Sequence, residues 1–500
     1  MPFSLTTNLL AQINAVPKFD WVNYSVVGLY LLVLVWLGFR FSQHKDTNDY
    51  FRAGQRIPWW AAGVSIFGTQ LSAITFMAIP AKTYATDWSY LTFNLTILLV
   101  APVVTALFIP LFHRLSITTA YEYLEDRFNL TARLLGSGMF ILLQLGRIGI
   151  VLLLPSLALN LVTGVDVFIC IAIMGVLSII YTVLGGIEAV IWTDVLQVVV
   201  LLGGAILSLI LIVLDLDGGY NQLLSIAHEA DKLQAFDFRF DWAETTVWVM
   251  LLGGLGSNLI SYGSDQTVVQ RYLTTKDEAS ARRSIWTSAL LSVPATLIFF
   301  SLGTALFVFY KASPEELEVS LTNTDAIFPY YIVTQLPRGV SGLLIAGIFA
   351  AAMSSLDSSM NSIATVVTTD FFRRFRRMTE AASMRLAKGA TTVVGVTGTL
   401  FALAMATWEI QSLWDQLNLF IGLFAGGLGG IFLLGMTSNR ANGQGAVVGL
   451  ISSGVILLLV KVYTTLSFLL YAAIGVASCM MIGYVVSLLY RNDHPEKLVK

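Results

Sequence analysis

Residues 61–80, AAGVSIFGTQLSAITFMAIP, decide how the chain is read. The run is apolar at both ends and long enough to belong to a helix crossing a hydrocarbon core of ~30 Å. Yet Gly68, Thr69, Gln70, Ser72 and Thr75 fall at mid-membrane depth, with Pro80 near the far end. A helix interrupted there turns the cluster to use. Carbonyls closing the first half, near Gly68 to Leu71, lose their intrahelical donors and can coordinate a cation. Free N–H groups and the positive dipole end of the second half, near Ser72, suit an anion.

The surrounding composition supports a membrane setting. The 500 residues are 56% hydrophobic and only 12% charged, about half the ~25% of soluble domains. Repeated apolar runs make the chain an all-α polytopic membrane protein. A net charge of −2 gives no hint of a nucleic-acid partner. Cys170 and Cys479 are far apart, and His44, His113, His228 and His494 are scattered in predicted loops. Neither a disulfide framework nor a transition-metal or haem site is supported. Near the start the only base is Lys18, and the first apolar run is full length with a basic flank at Arg40 and Lys45. It reads as an uncleaved first helix, not a signal peptide.

Hydropathy predicts about thirteen spans, near 21–41, 58–85, 88–112, 132–161, 165–184, 189–214, 243–263, 284–310, 339–370, 388–407, 411–437, 443–461 and 464–490. With the N-terminus outside, the loops with Arg52/Arg56, Arg114/Arg127/Arg133, Arg271/Lys276/Arg282/Arg283 and Arg373/Arg374/Arg376/Arg377 are all cytoplasmic, as is the C-terminus. The outer loop 215–242 is acidic and carries a turn at DLDGGY. No soluble domain interrupts the chain, so residues 1–500 form one transmembrane domain.

Span seven, WVMLLGGLGSNLISYGSDQ (248–266), is also loosened, by Gly253, Gly254, Gly256 and Gly263, with Asn258 and Ser261 as polar members. Interruptions opening two five-helix blocks, 58–214 and 243–437, are the signature of an inverted-repeat transporter. They would leave one extra helix before the blocks (21–41) and two after them (443–490). For span seven the other reading is that small residues let helices pack closely.

Arg147 lies mid-span in SGMFILLQLGRIGIVLLLPSLALNL (137–161), too deep to snorkel. It either pairs with a carboxylate or helix-end carbonyls on a neighbouring span, or offers its planar fork to a substrate carboxylate in a wet cavity. Span nine carries FAAAMSSLDSSMNSIATVVTTD (349–370), where Ser354, Ser355, Asp357, Ser358, Ser359, Asn361 and Ser362 crowd together. Hard oxygens of this kind suit Na⁺. Another acid, Asp194, lies just inside span six in GGIEAVIWTDVLQ (185–197). If Asp194 and Asp357 approach one cavity, a cation must sit between them or one must hold a proton.

At these residues the chain resembles the sodium:solute symporter family, through GGIEAVIWTDVLQ, SDQTVVQRYL (264–273) and IAGIFAAAMSSLDSSMNS (345–362). Within it, LSAITFMAIPAKTYATDWSY (71–90) and the arginine of LGRIGI (145–150) are most similar to the bacterial sialic acid symporters. The resemblance implies a LeuT-type fold working by alternating access on the sodium gradient. It implies a first sodium site from Gly68, Leu71 and Ala351 carbonyls with the Ser354 and Ser355 hydroxyls. It implies a second from Asp194 with Ser354, Ser358 and Asp357. Substrate contacts would fall on Ser72 and Thr75, with Gln70, Asn94 and Tyr90, and Arg147 would hold a sugar-acid carboxylate.

Three positions depart from the sialic acid pattern: Gln70 replaces a threonine, Asn94 a glutamine and Asp357 a serine. The expected function is sodium symport of an acidic sugar such as sialic acid, with a neutral sugar, polyol or small carboxylate as the alternative cargo. Expected partners are that small molecule, sodium ions and membrane lipid, with no organic cofactor and no nucleic acid, for a monomer in the bacterial inner membrane. An enzyme is not expected, because no histidine or suitable lysine accompanies the serines. A channel would show rings from repeated subunits.

Overall fold

The computed structural model describes residues 19–115, 117–317, 324–408 and 421–490. The described residues form helices and connecting turns, with no strand among them. Among the described residues, nine helices are long and apolar enough to cross a membrane, or ten when one bent pair counts as a span. Many large apolar side chains face outward, such as Trp21, Leu32 and Trp36 on the first helix, α1 (Trp21–Arg40). A lipid-facing surface requires this, and a water-facing one would not tolerate it.

The predicted break is present. Helix α2 (Trp59–Gln70) and helix α3 (Ala73–Ala85) meet at Leu71, whose φ of −80° and ψ of 71° are not helical, and the two halves are bent by 53°. The chain continues through α4 (Leu91–Leu115), α5 (Glu122–Arg127) and α6 (Leu130–Thr163). Spans five and six follow as α7 (Val167–Asp215), kinked at Gly186, where φ is +56°. A Cβ there would stand 2.7 Å from the Tyr50 carbonyl oxygen, so both conformation and space call for glycine. The turn at DLDGGY leads into a short helix, α8 (Gly219–Glu229), within what sequence presents as a loop.

The second interruption is displaced from its predicted place. Helix α9 (Val247–Gly263) runs unbroken through its glycines, and the break falls at Ser264–Asp265 before α10 (Gln266–Tyr272). The glycines instead admit neighbours. A Cβ on Gly253, Gly254 or Gly256 would meet the backbone of Leu469, Phe93 or Ala473 at 2.5–2.7 Å. Close packing, the other reading of span seven, accounts for them.

Next come α11 (Glu278–Ala312), α12 (Val340–Val366, extended by wider turns through Val367–Arg373) and α13 (Glu380–Met405). The final helices are α14 (Gly426–Thr437), α15 (Gly443–Tyr463) and α16 (Tyr471–Leu489). The part of predicted span eleven over 411–420 lies outside the described residues, as do residues 1–18. Helix α12 is the axis of the bundle, packed on α6, α7 and α13, and every residue from Ala350 to Val366 is buried. Its serines are tolerated there because they bond back one turn, as Ser359 Oγ does to the Ser355 carbonyl at 2.9 Å.

At the end of the bundle that carries α5, charges expected in a loop lock helices together. Arg133 is buried in the first turn of α6, with Nη2 2.5 Å from Asp370 Oδ1 and Nη1 2.8 Å from Glu125 Oε2. Glu125 also holds Arg374 at 2.6 Å.

Candidate functional site

Each break restarts its helix with a side-chain cap. Ser72 accepts from the Thr75 amide at 3.4 Å. Asp265 accepts from the Thr267 amide at 2.8 Å and the Thr267 hydroxyl at 2.7 Å. Arg147, midway along α6, reaches both breaks. Its Nη2 donates to the Thr69 carbonyl at 3.1 Å, in the last turn of α2, and its Nη1 lies 3.9 Å from Asp265 Oδ2. The paired arginine of the sequence reading is therefore present, and so is the exposed fork, because Arg147 also lines a cavity.

That cavity encloses about 190 Å³ between the breaks. Of the residues expected to touch substrate, Gln70, Ser72, Thr75, Asn94 and Arg147 line it, together with Leu71. Tyr90 does not. Its ring packs against the Val249 and Met250 cluster, with the Lys82 ammonium 5.3 Å from the ring centre, so apolar burial and a cation–π contact draw it off the wall. Asn258 and Ser261, noticed as the polar members of α9, are on the wall, as are Ser292 and Thr296. Gln70 Nε2 is buried without a hydrogen-bond partner among the described residues, which leaves a donor beside the cavity. Asp265 escaped the sequence reading because it follows the apolar run. Its signal was an Asp at a helix restart, just past Gly263.

A second cluster lies behind the break. Asp194 on α7 accepts from the Ser65 hydroxyl of α2, the Ser354 hydroxyl of α12 and Arg271 Nη2 at 3.0 Å. It thereby brings together the two segments expected to hold the first sodium ion. Gly68 packs on the same spot, since a Cβ there would be 3.6 Å from Asp194 Cβ and 2.9 Å from Val198. Ser355 bonds back to the Ala351 carbonyl at 3.4 Å. Carbonyl and hydroxyl oxygens of this kind suit a hard monovalent cation. Among the described residues, no group of three His, Cys, Asp or Glu is placed to hold a metal.

Arg271 corrects the sequence reading most sharply. Expected in a cytoplasmic loop, it is fully buried, with Nη2 2.6 Å from Ser358 Oγ and 3.0 Å from Asp194 Oδ2. The cause is α10, which turns back into the bundle after the Ser264–Asp265 break. Asp357 stands apart from this pair of contacts, accepting from the Tyr181 hydroxyl at 2.7 Å and from Ser358 Oγ at 3.4 Å.

Comparison with known proteins agrees with this architecture. Residues 50–453 match the sodium:solute symporter family. The chain is 40% identical over 476 residues to the sodium/sialic acid symporter SiaT of Proteus mirabilis, covering 94% of this chain and 96% of that protein. It is 39% identical over 479 residues to the sodium/sialic acid symporter NanT of Aliivibrio fischeri, covering 95% of each. A solved structure of a Na⁺-coupled sialic acid symporter, substrate-bound and outward-open, superposes with a TM-score of 0.89 at 39% identity. It covers 95% of this chain and 99% of that one. The fold is the LeuT type.

Proposed function

The chain belongs to the sodium:solute symporter family, and from that premise we propose that it imports sialic acid, or a closely similar acidic sugar, together with sodium. It is a transporter embedded in a membrane, not an enzyme. The observation that carries the cargo assignment is Arg147, a guanidinium between two helix breaks on the wall of a cavity rich in hydroxyls and carboxamides. Such a fork binds a carboxylate through two parallel hydrogen bonds, while hydroxyls and amides suit a polyhydroxylated ring.

The roles combine the lining of the cavity with what the family resemblance implies. Arg147 takes the carboxylate, while Ser72, Thr75, Gln70 and Asn94 contact the ring. Sodium binds the carbonyls of Gly68, Leu71 and Ala351 with the Ser354 and Ser355 hydroxyls, tying α2 to α12. Leu71 belongs to both the ion site and the cavity wall, so ordering the break for the ion also shapes the wall for cargo. Linkage makes the benefit mutual: bound cargo tightens the ion. A second ion uses Asp194, Ser354, Ser358 and Asp357. Because Arg271 already contacts Asp194 and Ser358, that ion enters as the guanidinium withdraws.

In the bacterial inner membrane the N-terminus faces outward and the C-terminus inward. The Arg133, Glu125 and Arg374 cluster then lies on the cytoplasmic side, as the positive-inside rule favours. Residues 58–214 and 243–437 are the two repeats of a single domain, and the chain works as a monomer.

The test is uptake of labelled N-acetylneuraminate into proteoliposomes. An inward sodium gradient is expected to drive accumulation, and choline in its place at fixed pH and voltage is expected to abolish it. Equal accumulation in choline overturns sodium coupling. Sodium-driven uptake of neutral sugars alone overturns the acidic cargo.

A further inference from the structure

We infer that Asp265 is the resident counter-ion of Arg147, which an acidic cargo displaces, so that it holds the guanidinium in the unloaded cavity and competes with the cargo carboxylate for it. The inference rests on the acidic-sugar reading above and assigns a positioning residue to it. Between Arg147 Nη1 and Asp265 Oδ2 the separation is 3.9 Å, an ion pair looser than a hydrogen bond. The looseness has a cause on each side. Asp265 is already engaged by the Thr267 amide at 2.8 Å, the Thr267 hydroxyl at 2.7 Å and Gln144 Nε2 at 3.2 Å. Arg147 is drawn the other way by the Thr69 carbonyl at 3.1 Å.

Consequently Asp265 can give up Arg147 without becoming an unsatisfied buried carboxylate. With the cavity unloaded, the pair keeps a buried guanidinium compensated. When a carboxylate arrives, Arg147 exchanges a distant partner for a bidentate one. A neutral sugar offers nothing in exchange and meets a cavity whose charges already balance.

The same contacts point toward the ion. Gln144 Oε1 and the Ser355 carbonyl each lie 2.9 Å from Ser359 Oγ and share its one hydroxyl proton. Asp265 is thus two side chains away from the expected sodium ligands of α12.

The experiment compares Asp265→Asn, Asp265→Ser, Arg147→Gln and the Arg147→Gln/Asp265→Asn double variant with the parent, all purified in sodium buffer. Asn and Ser both keep a cap for α10, so two independent variants remove the charge alone. Removing the competitor is expected to tighten N-acetylneuraminate binding several-fold while leaving its methyl ester unchanged. Unchanged binding of the acid, or equal shifts for acid and ester, overturns the inference. Without cargo, each single variant is expected to lower the melting temperature, and the double variant by less than the sum. Additive shifts overturn it. If the parent binds no acidic sugar, the proposed function fails, and the cargo-free measurement still decides whether Asp265 and Arg147 are coupled.

Discussion

Arg271 and Asp194 form a fully buried ion pair, Nη2 to Oδ2 at 3.0 Å, beneath the broken helix and against the serine ladder of α12. The guanidinium also contacts Ser358 and Ser65 and donates to the Thr267 carbonyl at 2.6 Å. One cation therefore stitches α2, α7, α10 and α12 together. In this arrangement Arg271 supplies the positive charge beside Asp194.

Breaking that pair is expected to be severe. Arg271→Met leaves Asp194 buried without its partner, a loss of ~3–5 kcal/mol. Arg271→Lys is expected to recover only part, because a point charge cannot serve four acceptors in one plane. Thermal unfolding of the purified protein checks both, and parent-like stability of Arg271→Met would refute the pair's structural weight.

Arg147→Ala is expected to cost acidic cargo ~2–5 kcal/mol of binding, the usual penalty for removing one member of a buried charged pair. Uptake of N-acetylneuraminate measures it. Near-parent uptake would leave Arg147 as a brace between the two breaks and nothing more.

Ser355→Ala removes one hydroxyl ligand from the proposed first ion site. The sodium concentration giving half-maximal uptake is expected to rise about tenfold, the equivalent of ~1.4 kcal/mol. The maximal rate at saturating sodium should fall less. An unchanged sodium dependence would remove Ser355 from the ligand set.

Glu125 supplies a pH dependence. Its hydrogen bond to Arg374, and then Arg133, hold its carboxyl below the ordinary carboxylate range. The folded protein thus gives up this carboxylate less readily to protons than the unfolded chain does. The stabilisation is complete above roughly pH 4.3, the unfolded value, and is lost as pH falls through the lower folded value. Melting temperatures of the parent and Glu125→Gln are expected to differ at pH 7 and to converge on acidification. A gap that widens toward acid would contradict the pairing.

Gly186→Ala tests the kink joining spans five and six. The left-handed φ of +56° and the Tyr50 carbonyl 2.7 Å from the added Cβ are together expected to cost ~1–3 kcal/mol. Denaturation of the purified variant reads this directly, and parent-like stability would show that the kink can relax.

Much of the molecule was legible in the sequence because the deciding signals are local. Apolar run length follows from membrane thickness. A cluster such as Gly68 to Ser72 announces a break by itself, and the structure bends there by 53°. The serines of α12 and the mid-span position of Arg147 are likewise read from a single segment. Other features were settled only by packing. The glycines of α9 look like a break but admit the backbones of Phe93, Leu469 and Ala473, and nothing in their own segment names those neighbours. Arg271 and Asp265 lie beyond an apolar run and read as loop charges, until the Ser264–Asp265 break turns α10 inward and delivers Arg271 to an aspartate 77 positions away. Tyr90 matched by position yet left the cavity wall for an apolar cluster. Hydropathy and propensity act over a few turns of chain, whereas the choice of partner for a buried charge is made among all helices at once.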